Sequence, residues 1–91
     1  MWFVYLLRCS DLSLYCGITN NISKRLACHN SGKGSRYTRA RLPVEVVWWN
    51  QCDSRSSATK KEIKIKELTK NKKELLVSKG ANSCPKDMIE I

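Results

Sequence analysis

The chain has little negative charge: eight Asp and Glu stand against seventeen Lys and Arg, giving +9 at pH 7. A field of that sign on so small a chain disfavours cationic partners and makes polyanions the obvious ones. No apolar run comes near the roughly 18 residues of a membrane span. The opening Met1-Trp2-Phe3-Val4-Tyr5 lacks the basic segment of a signal peptide and reads directly as a strand. Cysteine is present but unpaired in pattern. Cys9, Cys16, Cys28, Cys52 and Cys84 are odd in number and contain no CxxC motif, which argues against a disulfide framework and a zinc ribbon. Reduced, packed thiols in a cytoplasmic protein are the expectation. Gly32-Lys33-Gly34 lacks the spacing and the Lys-Ser/Thr ending of a phosphate-binding P-loop. There is no internal repeat or low-complexity stretch. Ninety-one residues make one domain, and an apolar content of 42% is enough for a small core.

What the chain does have begins with two aromatic strands. Residues 2–9 are nearly continuously apolar, as in a central strand covered on both faces. Ser10-Asp11-Leu12-Ser13 is a turn, and Leu14-Tyr15-Cys16-Gly17-Ile18-Thr19 returns as the second strand. Pairing Cys9 with Ser13 puts Tyr5 and Tyr15 on one face and sets Gly17 opposite Tyr5, where no side chain competes with the phenol. Leu12 then occupies the left-handed loop position where glycine is usual. Cys16 points to the other face, as packing.

Thr19, Asn20 or Asn21 caps a helix running to about His29 or Asn30. Ile22 and Leu26 mark its buried stripe, and Arg25 and His29, four apart, share a face and can address one ligand. The stretch from Ser31 to Arg41 carries Lys33, Arg36, Arg39 and Arg41 with Tyr37 among them. Cations with an interleaved aromatic suit a phosphate backbone and an unpaired base, so these five residues, with Lys24, are the candidate substrate contacts. Val44 to Cys52 is a third strand, in which adjacent Trp48 and Trp49 point to opposite faces. Ser54 or Ser56 caps a helix to about Leu68 with Ala58, Ile65 and Leu68 inward. Glu62 borders that stripe and needs a partner, either a Lys or Arg or a divalent metal. Thr69 caps a last helix through Lys79, with Leu75 and Leu76 inward and Gly80 as its stop. The order is β-β-α-β-α-α, an α+β arrangement, with residues 1–79 as the domain and 80–91 as a loosely packed tail.

Val4-Tyr5 and Tyr15-Cys16-Gly17, followed by Arg25, His29 and Glu62, resemble the GIY-YIG nuclease family. Tyr5-Leu6-Leu7-Arg8-Cys9-Ser10-Asp11, His29-Asn30-Ser31-Gly32-Lys33-Gly34 and Tyr37-Thr38-Arg39-Ala40-Arg41 are similar to its small, single-domain bacterial members. Phe3-Val4-Tyr5 stands where the first triplet would be, and Cys16 replaces the second Ile. The resemblance, over about residues 2–77, implies a three-stranded antiparallel sheet flanked by helices and metal-dependent hydrolysis of phosphodiesters. It implies that Glu62 holds one divalent cation, Mg²⁺ or Mn²⁺, through oxygen. Tyr5 would take a proton from the attacking water, and Tyr15 would orient water or phosphate. Arg25 would neutralise the phosphate, and His29 would assist proton transfer or hold a neighbouring phosphate. The implied substrate is DNA before RNA, in repair or processing of damaged or structured DNA. A non-catalytic module gripping nucleic acid with the same basic face is the alternative.

Overall fold

The computed structural model describes residues 1–80, so the expected tail over 81–91 lies outside the described residues. Strand β1 (Trp2–Arg8) is central, with β2 (Leu14–Thr19) and β3 (Glu45–Cys52) antiparallel on either side. Its centrality follows from composition. Val4, Tyr5, Leu6 and Leu7 are all buried, which only a strand covered on both faces tolerates. The sheet is flanked by helices α1 (Ile22–Asn30), α3 (Arg55–Lys66) and α4 (Lys70–Gly80), as the sequence predicts. A one-turn helix, α2 (Arg36–Arg39), lies inside the basic stretch read as loop, capped by the Ser35 hydroxyl.

The hairpin register is the expected one: the Cys9 amide donates to the Ser13 carbonyl at 2.9 Å, and Tyr5 pairs with Gly17. Leu12 carries the turn at φ 70°, an uncommon conformation for a residue with a side chain. The open alternatives for the caps resolve to Asn21 for α1 and Ser54 for α3, each side-chain oxygen accepting the amide three residues on.

Alternation along the strands sorts the core into two layers. Val4, Leu6, Cys16 and Trp48 pack with Ala58 and Ile65 of α3, and Leu76 of α4 joins their margin. Tyr5, Leu7, Cys9 and Val44 form the other layer with Tyr15, Leu26 and Trp49 at its edge. The expectation that Leu75 and Leu76 both face inward is corrected, because Leu75 is 55% exposed. Neighbours on a helix lie about 100° apart, and the contact of α4 is centred on Leu76 and Val77, which leaves Leu75 at its outer side. Glu74, on the same turn, receives the Arg8 guanidinium at 2.5 and 2.7 Å and ties α4 to the end of β1.

Candidate active site

The Tyr5 phenol lies flat across Gly17, so close that a methyl group on Gly17 would sit 2.5 Å from the phenolic oxygen. That path carries the hydroxyl past β2 to α1, where it meets His29 Nε2 at 3.0 Å. Arg25, one turn earlier on α1, lies near enough for its guanidinium charge to act on the same phenolic oxygen. His29 is fully buried. Its Nδ1 lies 2.8 Å from the Thr38 hydroxyl, which donates in turn to the Ser35 carbonyl at 3.2 Å. A hydroxyl has one proton to give, so with the Thr38 proton on the Ser35 carbonyl the imidazole proton is on Nδ1 and Nε2 accepts from Tyr5. Gly34 seals the arrangement, since a methyl group there would run into the His29 ring and come within 2.9 Å of its Cα. This loop glycine serves the close approach of the histidine.

Burial pushes the Tyr5 hydroxyl up to about 12, although Arg25 pulls the other way. Burial, and then the positive charge of Arg25, hold His29 below the ordinary imidazole range. Both groups are therefore neutral at pH 7. The folded state binds fewer protons at His29 than the unfolded chain does just below pH 6.5, so stability falls as the solution is acidified through that value. The melting temperature of the wild type should drop between about pH 7.5 and 5.5 more steeply than that of His29→Gln. Parallel curves in thermal unfolding would show that His29 does not titrate in this way.

Tyr15 completes the face. Its ring meets His29 edge-on at 5.4 Å and stacks on Tyr37 at 5.9 Å. Tyr37 and Arg41, predicted as substrate contacts, are already tied to the hairpin turn. The Tyr37 hydroxyl donates to Ser13 at 2.6 Å, while Arg41 lies over the Tyr37 ring and pairs with Asp11 at 2.9 Å. Lys24, Lys33, Arg36 and Arg39 are exposed and form no side-chain bond among the described residues. Lys24 lines a hollow with Arg25, beside this face.

Glu62 stands apart from the bonded cluster. It rides on α3, which covers the Cys16 face, and its charge helps burial push the Cys16 thiol up to about 12. Tyr15 and Cys16 are successive residues of β2, so the phenol and the carboxylate belong to opposite faces of the sheet's edge strand. The partner of Glu62 is Lys66, at 3.4 Å. No three His, Cys, Asp or Glu side chains converge among the described residues. A lone carboxylate still fits a hard cation of the Mg²⁺ kind, which is held by one or two carboxylates and takes its remaining oxygens from water and phosphate.

The Tyr5 hydroxyl thus meets His29 under the charge of Arg25, with Tyr15 edge-on to the same imidazole, on the hairpin and helix that hold the sequence motif. A family model described as the GIY-YIG catalytic domain matches residues 1–74. This chain belongs to the GIY-YIG family. The family is one of nucleases, and membership makes nucleic acid the substrate class. Among its relatives is a UPF0213 protein of Desulfotalea psychrophila, 51% identical over 77 residues, covering 84% of this chain and 70% of that one. A UPF0213 protein of Vibrio cholerae is 47% identical over 78 residues, 85% of this GIY-YIG chain and 77% of its relative. The solution NMR structure of a UPF0213 protein from Bacillus halodurans superposes with a TM-score of 0.56 at 43% identity, covering 88% of this chain and 87% of that one. No helix among the described residues is long and apolar enough to cross a membrane.

The structure brings together Tyr5, Tyr15, Arg25 and His29, which the sequence singled out, and shows what holds them, which the sequence did not. Thr38 and Ser35 were legible only as a Ser three residues before a Thr, a capping signal inside a basic loop. Gly34 was visible as a glycine, but nothing local tells which group approaches it.

Proposed function

We propose that the chain is a divalent-metal-dependent nuclease that hydrolyses phosphodiester bonds in DNA, in the processing of damaged or structured strands. The observation that carries this reading is the 3.0 Å contact between the Tyr5 hydroxyl and Nε2 of a buried, neutral His29, beside the positive charge of Arg25. With its hydroxyl raised to about 12, Tyr5 is a phenolate in only about one molecule in 10⁵ at pH 7. A standing phenolate is thus not the base. Tyr5 can take a proton from water only while passing its own to His29 Nε2, and Arg25 holds the negative charge that crosses the phenol. Arg25 then faces the phosphate oxygens as they gain charge, and Tyr15 orients the water or the phosphate.

Glu62 would hold the Mg²⁺ or Mn²⁺, and a bound cation would neutralise phosphate oxygens and assist the leaving oxygen. Only β2 separates Glu62 from the Tyr15 face, and it is an edge strand, so a phosphate backbone passing that edge can face both. One observation favours the second reading, a binding module that does not cut: Glu62 is paired with Lys66 and touches neither phenol. The two readings part on labelled single-stranded and duplex DNA supplied with Mg²⁺ or Mn²⁺. Hydrolysis predicts cleavage that drops at least about 100-fold in Glu62→Gln with DNA affinity retained. Binding without cleavage in the wild type supports the module. Cleavage undiminished in Glu62→Gln removes this carboxylate from the mechanism.

A further inference from the structure

Beside the Tyr5 cluster, on the same face of the sheet, Phe3 and Trp49 wall a groove of about 430 Å³. Phe3 precedes Tyr5 by two residues and Trp49 is the β3 partner of Tyr5, so both rings emerge on the face that holds the reacting groups. The rings meet edge to face, 5.6 Å apart and 79° between planes, and both are only half-buried. Two rings at right angles make a slot with one broad aromatic wall, rather than a flat greasy patch. Asn20 and Asn21 close the groove on one side. The same two residues line the adjoining hollow of about 210 Å³ that contains Lys24 and Arg25. Asn21 spends its side-chain oxygen on capping α1, but Asn20 is exposed and its amide has no partner among the described residues.

We infer that this groove receives an unpaired nucleobase of the substrate, with the attached phosphate lying on Lys24 and Arg25. The inference rests on the nuclease reading for its polyanion and adds the strand state that the site accepts. Three parts of a nucleotide have counterparts here in order. The Trp49 and Phe3 rings offer a surface for stacking, which tolerates any base. The free Asn20 amide offers both a donor and an acceptor to a base edge. The two cations meet the phosphate. A base stacked inside a regular duplex cannot enter such a slot, so the site selects single strands, ends, or a base displaced from its helix. An acidic peptide would use the cations but leave the aromatic slot empty.

The test compares a single-stranded DNA of about ten nucleotides with a strand of the same length that is abasic throughout, at one salt concentration. Fluorescence anisotropy is read in chelator so that no cleavage intrudes. The wild type should bind the base-bearing strand about 10-fold more tightly. Trp49→Leu should lose most of that preference and keep its affinity for the abasic strand. Asn20→Ala should reduce the preference several-fold, and it decides the matter if Trp49→Leu has lost its fold and binds neither strand. Equal wild-type affinity for the two strands, or a preference that survives both substitutions, overturns the groove. Base-selective binding without any cleavage in Mg²⁺ or Mn²⁺ sinks hydrolysis and leaves the groove standing. Cleavage combined with base-indifferent binding does the reverse.

Discussion

Arg25→Ala should lower the rate of DNA cleavage by about 10³-fold while leaving the fold and most of the DNA affinity in place. The size follows from where the guanidinium sits. Its charge acts on the phenolic oxygen of Tyr5 and it lines the hollow beside Lys24, so it faces both places where the proposed mechanism develops negative charge. The charge that Arg25 stabilises in the transition state, beyond its contact with bound phosphate, appears in the rate and not in binding. Affinity survives because Lys24, Lys33, Arg36 and Arg39 remain to hold the phosphate backbone. The fold survives because α1 keeps its Asn21 cap and its buried His29. Arg25→Lys should recover little, since a point charge cannot serve two oxygens in a fixed planar fork. Single-turnover cleavage against anisotropy on the same DNA separates the two quantities. A loss confined to affinity, with the bound substrate cut at the wild-type rate, would make Arg25 a backbone contact and nothing more.

How much of this could be read beforehand depends on the distance over which each interaction acts. The Tyr5–Gly17 pairing was legible because antiparallel partners have a constant sum of residue numbers, so one pair settles all the others. The buried place of Cys16 followed from Tyr15 by alternation alone. Caps were legible to within two residues, because a cap is a contact between residues three apart. Arg8 with Glu74, 66 residues on, left no trace in any local pattern. The basic stretch misled for the same reason. Its charge implied a surface open to substrate, whereas Arg41 is bound to Asp11 and Tyr37 to Ser13 across 30 and 24 residues. The one-turn helix Arg36–Arg39 is shorter than any period that could announce it, and with it went the positioning of Thr38 against His29. Glu62 is the opposite case. Its helical place beside Ala58 was readable, but no residue on α3 indicates that it covers the Cys16 face, across the edge strand from the phenols.

Substituting alanine for Gly17 should destabilise the protein by about 3 kcal/mol. For a domain of this size that is a fall on the order of 15 °C in melting temperature. The new methyl would lie 2.5 Å from the Tyr5 oxygen and 2.7 Å from Cζ, and neither atom can give way. Tyr5 is 2% exposed, and its hydroxyl is held by His29 Nε2. The ring must therefore leave its place or β2 must part from β1. Alanine is the better strand former by roughly 0.5–1 kcal/mol, too little to offset the overlap. Gly32 provides the contrast, since its φ of +83° strains any side chain but nothing lies within 4 Å of the added carbon. There the cost should be near 1 kcal/mol, from backbone conformation alone. The origin of the Gly17 effect can be checked directly with Tyr5→Leu, which removes the atoms that collide. Added to Tyr5→Leu, Gly17→Ala should cost less than about 1 kcal/mol, a coupling of roughly 2 kcal/mol in a double-mutant cycle. Equal costs with and without the phenol would mean that Gly17 is required for something other than the passage of Tyr5 toward His29.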